Sequence, residues 1–155
     1  MASQLPAFPR FVFTILEPIS LLAGAVPAIF DTQWFISEQI ASPAAVTSSP
    51  QAVLATQQLG NCYFLAFLLA IAVLYSTSEI KVVRNYLIAL WIADITHIAI
   101  TMFGLGYNMT MAPGTWNAVT WGNIGATGFL FLTRNAYFLG VFGADGQLSK
   151  GKKGQ

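Results

Sequence analysis

The sequence predicts an all-α, polytopic membrane protein: a four-transmembrane-helix bundle with N- and C-termini cytosolic. Three observations carry this. Charged residues make up 8% of the chain and hydrophobic residues 55%. Four apolar runs approach 20 residues each. Lys and Arg also alternate between successive connecting segments. Ordinary globular chains carry about 25% charged residues. A chain of 155 residues with so few polar side chains cannot cover a water-facing surface, so a bilayer is its natural solvent.

A helix crosses the hydrocarbon core with about 20 mostly apolar residues. The first such run is residues 11–30, "FVFTILEPISLLAGAVPAIF". It is too long for the apolar core of a cleaved signal peptide. Glu17 interrupts it and no A-x-A site follows, so it reads as a span. The second run covers residues 54–75, around "YFLAFLLAIAVLY". The third covers residues 86–105 and the fourth residues 119–141. The loop "DTQWFISEQIASPAAVTSSPQ" joins the first two, with a short interfacial helix expected at residues 34–40. "STSEIKVV" links the second and third, and "GYNMTMAPGTWN" the third and fourth. Residues 1–145 form one transmembrane domain, and residues 146–155 a basic tail.

Orientation follows from Lys and Arg in the short segments. Arg10 precedes the first span. The first loop has Asp31 and Glu38 but no Lys or Arg. The second has Lys81 and Arg84, the third none, and the tail Lys150, Lys152 and Lys153. This alternation puts both termini in the cytosol. The chain ends "KKGQ", similar to the dilysine signal that returns membrane proteins to the endoplasmic reticulum, where the protein is expected. The other reading of the tail is a solvated basic segment. The sequon Asn108-Met109-Thr110 falls in a lumenal loop, too near the membrane to be an efficient acceptor.

Several classes drop out. A net charge of +1 gives no reason to expect nucleic acid. Cys62 is the only cysteine and His97 the only histidine, so no metal site and no cofactor is expected. The chain has no P-loop and no GxSxG.

What stands out is a set of polar groups inside the spans, where a charge costs about 2.5–3.5 kcal/mol on insertion scales. Asp94 lies near the middle of the third span, and His97 is three residues on, on the same helical face. Trp91 and Thr101 lie near that face. Asn123, Thr127 and Arg134 share a face of the fourth span. Gln57 and Asn61 are four apart on the second, beside Gln58. Glu17 lies at a depth similar to Arg134 and is expected to pair with it. The simplest packing turns all these faces inward around one polar pocket. The bland alternatives are a structural Glu17–Arg134 pair, amides that hold helices together, and a structural Asp94–His97 hydrogen bond. Gly122, Gly125 and Gly128 read as sites of close helix approach, and Trp34, Trp116 and Trp121 as interfacial anchors.

At "RNYLIALWIADITHIAI", "NIGATGFLFLTRNAYFLG" and "FTILEPIS" the chain resembles a family of small fungal four-span integral membrane proteins of largely unassigned function. The resemblance covers most of the chain and implies Glu17, Arg84, Asp94, His97, Asn123 and Arg134 as functional positions. More distantly, the small bundle with intramembrane acids is similar to EXPERA-type sterol isomerases and sterol-binding proteins, and to fungal membrane terpene cyclases. Those cyclases have about seven spans.

The expected function is therefore acid–base isomerisation or cyclisation of a lipophilic terpenoid or sterol-like substrate. Asp94, His97 and Glu17 are the candidate catalytic residues. Asn61, Trp91, Asn123 and Arg134 are the candidate substrate-binding residues. A carboxyl and an imidazole can hold and deliver a proton near neutral pH, and aromatic faces shield a carbocation. The expected partners are a lipophilic small molecule and membrane lipids, with a homodimer or other membrane enzymes as protein partners. The competing reading is a non-catalytic lipid-binding or scaffold protein. A small channel or carrier is a third, weakened by the lack of an internal repeat.

Overall fold

A computed structural model describes residue 2, residues 4–40 and residues 47–146. The tail lysines and "KKGQ" lie outside the described residues. Helix and turn account for all regular structure among the described residues. Helix α1 runs Ala7–Phe30, α2 is the short Thr32–Ser37, α3 runs Pro50–Ser76 and α4 runs Ile80–Thr110. A last helical stretch, α5, covers residues 118–138. It is built from Ala118–Thr120, a widened π-type turn at Trp121–Ala126, and Thr127–Phe138.

Helices α1, α3 and α4 are each long and apolar enough to cross a membrane. Each extends past its predicted run, because the connections are tighter than the polar composition suggests. Between α3 and α4 only Thr77, Ser78 and Glu79 are non-helical. Thr77 Oγ1 accepts from the Glu79 amide at 3.0 Å. Lys81 and Arg84 therefore sit in the first turns of α4 rather than in a loop. At the other end α4 absorbs the sequon: Thr110 is buried and donates to the Met102 carbonyl at 3.4 Å. The kink before it is at Gly106, whose φ of 75° a side chain would oppose.

Local chemistry sets the helix starts. Ser49 caps α3, its hydroxyl oxygen accepting from the Ala52 amide at 3.2 Å, with Pro50 at the first helical position. Asn117 caps α5 by accepting from the Thr120 amide at 2.8 Å. A second π-type turn, Val12–Leu16, lies inside α1. Such turns shift backbone bonds from i→i+4 to i→i+5, and side-chain hydroxyls add bonds to carbonyls within them. Tyr75 on α3 donates to the Thr14 carbonyl at 2.8 Å, and Thr127 Oγ1 donates to the Gly122 carbonyl at 3.3 Å.

Helix α1 packs mainly on α3, and α4 mainly on α5. The α1–α3 contact is close because α3 has no side chain at Gly60. A Cβ there would stand 2.6 Å from Ile29 Cγ1, 3.0 Å from Ala28 Cβ and 3.2 Å from the Ala25 carbonyl oxygen. The glycines expected to serve this purpose do not. Gly122 and Gly128 face open space, and Gly125 leaves room for the ring of Trp121 on its own helix.

Two apolar clusters close the ends of the bundle. At one end Leu5, Val12, Phe13, Leu74, Val83, Leu87 and Tyr137 pack together. At the other, Ala28, Phe35 and Val119 pack with Tyr63. Elsewhere large apolar side chains point outward: Phe103 is 91% exposed and Phe30 82%. Water would penalise such a surface, and hydrocarbon does not.

Candidate intramembrane polar site

Arg134, four residues before the end of α5, is fully buried. Its guanidinium joins three helices. Nη2 donates to Glu17 Oε1 on α1, and Nη1 donates to Asp94 Oδ2 on α4. The ring of Phe13 lies beneath the cation, 5.2 Å from Cζ to the centroid. The sequence places Phe13 and Glu17 four apart on α1, so one face of that helix supplies both the ring and the carboxylate. The expected Glu17–Arg134 pair is present. Asp94, however, pairs with Arg134, and no hydrogen bond joins it to His97 among the described residues.

The triad has two acids against one base. It carries −1 with both carboxylates ionised and 0 with one proton bound. Its hydrogen bonding is incomplete: Glu17 Oε2 and Arg134 Nε are buried without a partner, as are the Tyr86 hydroxyl and Trp91 Nε1. In hydrocarbon an orphaned polar atom costs free energy.

Beside the triad, a cavity of about 680 Å³ lies between α1, α3, α4 and α5. That is within the usual range for small-molecule sites, roughly 300–1,000 Å³. Its wall is mainly apolar and includes Leu21, Leu90, Ile100 and Leu130. The lining residues with polar or charged side chains include Glu17, Asp94, His97 and Asn123. His97 and Asn123 are neighbours in this lining. Trp34, Phe35 and Val119 lie in the wall near the second apolar cluster. Two contacts fix the segment around α2 there: Asn117 Nδ2 donates to the Glu38 carbonyl at 2.8 Å, and Asn123 Nδ2 to Gln39 Oε1 at 3.4 Å.

The predicted site residues thus divide. Glu17, Asp94, His97 and Asn123 share one cavity. Arg134 stands behind the carboxylates rather than in the wall. Trp91 stacks on Phe131, centroids 6.2 Å apart and 14° from parallel, and is not in the wall. Asn61 does not meet the expectation of an inward face: with Gln57 and Gln58 it lies exposed on the outer side of α3. The inner side of α3 bears Gly60, Tyr63, Ala66 and Ala70, so small residues and one tyrosine turn inward, and the amides lie outward with most of the leucines. Tyr63 and Ser20 line the cavity without having been singled out. Tyr63 could have been found from its place one turn after Gly60. Trp34 keeps an exposed face while lining the cavity, and Trp116 and Trp121 stack edge-on at 5.0 Å.

Arg84 belongs to a separate cluster. It forms a 2.8 Å ion pair with Asp145, to which the Tyr137 hydroxyl also donates at 3.0 Å. Among the described residues no three His, Cys, Asp or Glu side chains come together as a metal-binding group.

The model of the family described as "Domain of unknown function (DUF7704)" matches residues 2–144, and the chain belongs to that family. No curated protein and no solved structure matches the chain.

Proposed function

We propose that the protein is a four-span enzyme of the endoplasmic reticulum membrane, with both termini cytosolic. It binds a lipophilic terpenoid or sterol-like molecule in the central cavity and isomerises or cyclises it by acid–base chemistry. The observation that carries this reading is the convergence of Glu17, Asp94, His97 and Asn123 on one mainly apolar cavity of ligand size. Residues 118–138 are long enough, at about 1.5 Å per residue, to serve as the fourth span.

The mechanism follows from the charges. The two carboxyls sit on one guanidinium, so a proton bound there belongs to the pair. Donation of that proton to an alkene carbon forms a C–H bond and leaves a carbocation on the neighbouring carbon. The triad then carries −1 beside a +1 centre, an arrangement that favours the charged intermediate in a low-dielectric site. His97 takes a proton from an adjacent carbon, and the new double bond completes an isomerisation. Attack by a second alkene of the same molecule before that proton loss closes a ring instead. Asn123 orients the imidazole, and Arg134 positions the two carboxyls.

A second reading, a lipid-binding or scaffold protein, has its own support. Arg134 occupies one oxygen of each carboxylate, as a purely structural network would. The two readings separate experimentally. Lipid extracts of membranes carrying wild type, Asp94→Asn and His97→Ala, fed prenylated and sterol-like lipids, are compared by mass spectrometry. A product made by wild type and lost in both variants supports the enzyme. Bound lipid without any product supports the binder.

A further inference from the structure

The outward amides of α3 form part of a regular seam. Leu54, Gln58, Asn61, Leu65, Leu68 and Ala72 are spaced four, three, four, three and four apart, and all are exposed. That spacing keeps all six on one face of the helix, and such a face is what one membrane helix presents to another. The inward face of α3 already meets α1, through Gly60, on the opposite side of the helix. The seam is therefore additional to the packing within the chain.

Outward Leu and Ala need no explanation on a membrane helix. Gln58 and Asn61 do, together with Gln57 at the seam's edge. None of these three side chains makes a hydrogen bond among the described residues. Asn61 lies 11 residues from Pro50 and 15 from Ser76. It is thus about 17 Å from one end of α3 and about 23 Å from the other. Where α3 crosses a bilayer, Asn61 is deep in hydrocarbon, which offers an amide nothing to bond.

We propose that this seam is the contact between two copies of the chain, paired in parallel along α3 about a two-fold axis normal to the membrane. Amide side chains are the observation that selects a second copy. Each carries both donors and acceptors, so Asn61 and Gln58 complement themselves, whereas a charged group would repel its equivalent. A two-fold axis places each residue beside its counterpart at equal depth. A single Asn within an apolar repeat also fixes the register, because sliding the helices would leave both amides unbonded. The cavity lies on the other side of α3, so pairing leaves it unobstructed.

The test uses the full chain, purified and reconstituted in phosphatidylcholine vesicles, with Cys62→Ser removing the native thiol. Single cysteines are placed in the seam at Leu54, Leu65 and Leu68, and off it at the exposed positions Ala55 and Ile71. Copper-phenanthroline then oxidises thiol pairs that meet. Disulfide-linked dimer should form at the three seam positions at least fivefold faster than at the two controls. Adding Asn61→Leu to the Leu65→Cys chain should weaken self-association about threefold, the equivalent of one interhelical hydrogen bond of about 0.6 kcal/mol. Adding Gln58→Leu as well should weaken it further. Equal rates at all five positions, or no dimer while the variants remain monodisperse, would overturn the proposal. So would unchanged association after both amides are removed. Adducts with a different protein in native membranes, without dimer in vesicles, would replace the second copy by another chain.

Discussion

Arg134 and Glu17 stand 117 positions apart in the chain and share a buried ion pair, Nη2 to Oε1. With Asp94 on the same guanidinium, that contact links α1, α4 and α5 at one point. Glu17 and Asp94 also line the cavity, and Arg134 does not.

Breaking the triad at its centre should be costly. Arg134→Leu leaves two buried carboxyls without their cation and should lower stability by about 3–5 kcal/mol. Replacing all three with leucine removes the unpaired charges as well and should restore much of the loss, because an apolar substitute for a buried charge network is often tolerated. Thermal unfolding in detergent compares the two. A triple variant no more stable than Arg134→Leu would mean that the network does more than neutralise itself.

Gly60 is the tightest point between α1 and α3. Gly60→Val should cost about 1–3 kcal/mol by overpacking, since even a Cβ meets Ile29 at 2.6 Å and backbone at 3.2 Å. Gly128→Ala, facing open space, should be neutral or slightly stabilising through helix propensity. Melting temperatures of the two variants check both directions.

Filling the cavity should abolish ligand binding without unfolding the chain. Ala66→Phe, on the inner side of α3, projects a ring into the space beside Tyr63. Native mass spectrometry of detergent-extracted protein should show a co-purifying lipophile on wild type and at least tenfold less on the variant, at similar melting temperature. Equal lipid occupancy would place the binding site elsewhere.

Asn123, which lines the cavity with His97, should orient the imidazole on the proposed reading. Asn123→Ala should lower turnover about tenfold while Asn123→Gln retains part of it. His97→Ala should lose the larger factor, about 10²–10⁴, expected of a general base. A turnover assay on reconstituted protein gives the ranking, and Asn123→Ala at wild-type rate would remove the orienting role.

The apolar runs made the long helices legible because only continuous hydrophobic stretches of that length suit a bilayer. The Glu17–Arg134 pair was legible too: two opposite charges at similar depth have few other partners. The sequence did not reveal that Asp94 would join them, since the i, i+3 spacing drew attention to His97 instead. Depth and rotation of α4 against α5 decide that contact, and neither is written in local spacing. Asn61 shows the same limit from the other side. An intramembrane amide needs a partner, yet nothing in one chain says whether that partner lies inside the bundle or across an interface. The π-type turn at Trp121–Ala126 was not visible either. Its bond from the Thr127 N–H to the Gly122 carbonyl spans five residues instead of four, a shift that leaves no mark in the apolar pattern.

The most direct test of the central claim is a product profile. The protein is expressed in yeast microsomes supplied with prenylated and sterol-like lipids, and wild type is compared with Asp94→Asn and Glu17→Gln by mass spectrometry. The account predicts a new isomer or cyclised product of unchanged mass from wild type, absent from both variants at equal abundance of folded protein. The same product at the same rate from both variants would contradict it, and would leave Glu17, Asp94 and Arg134 as the clamp that holds three helices together.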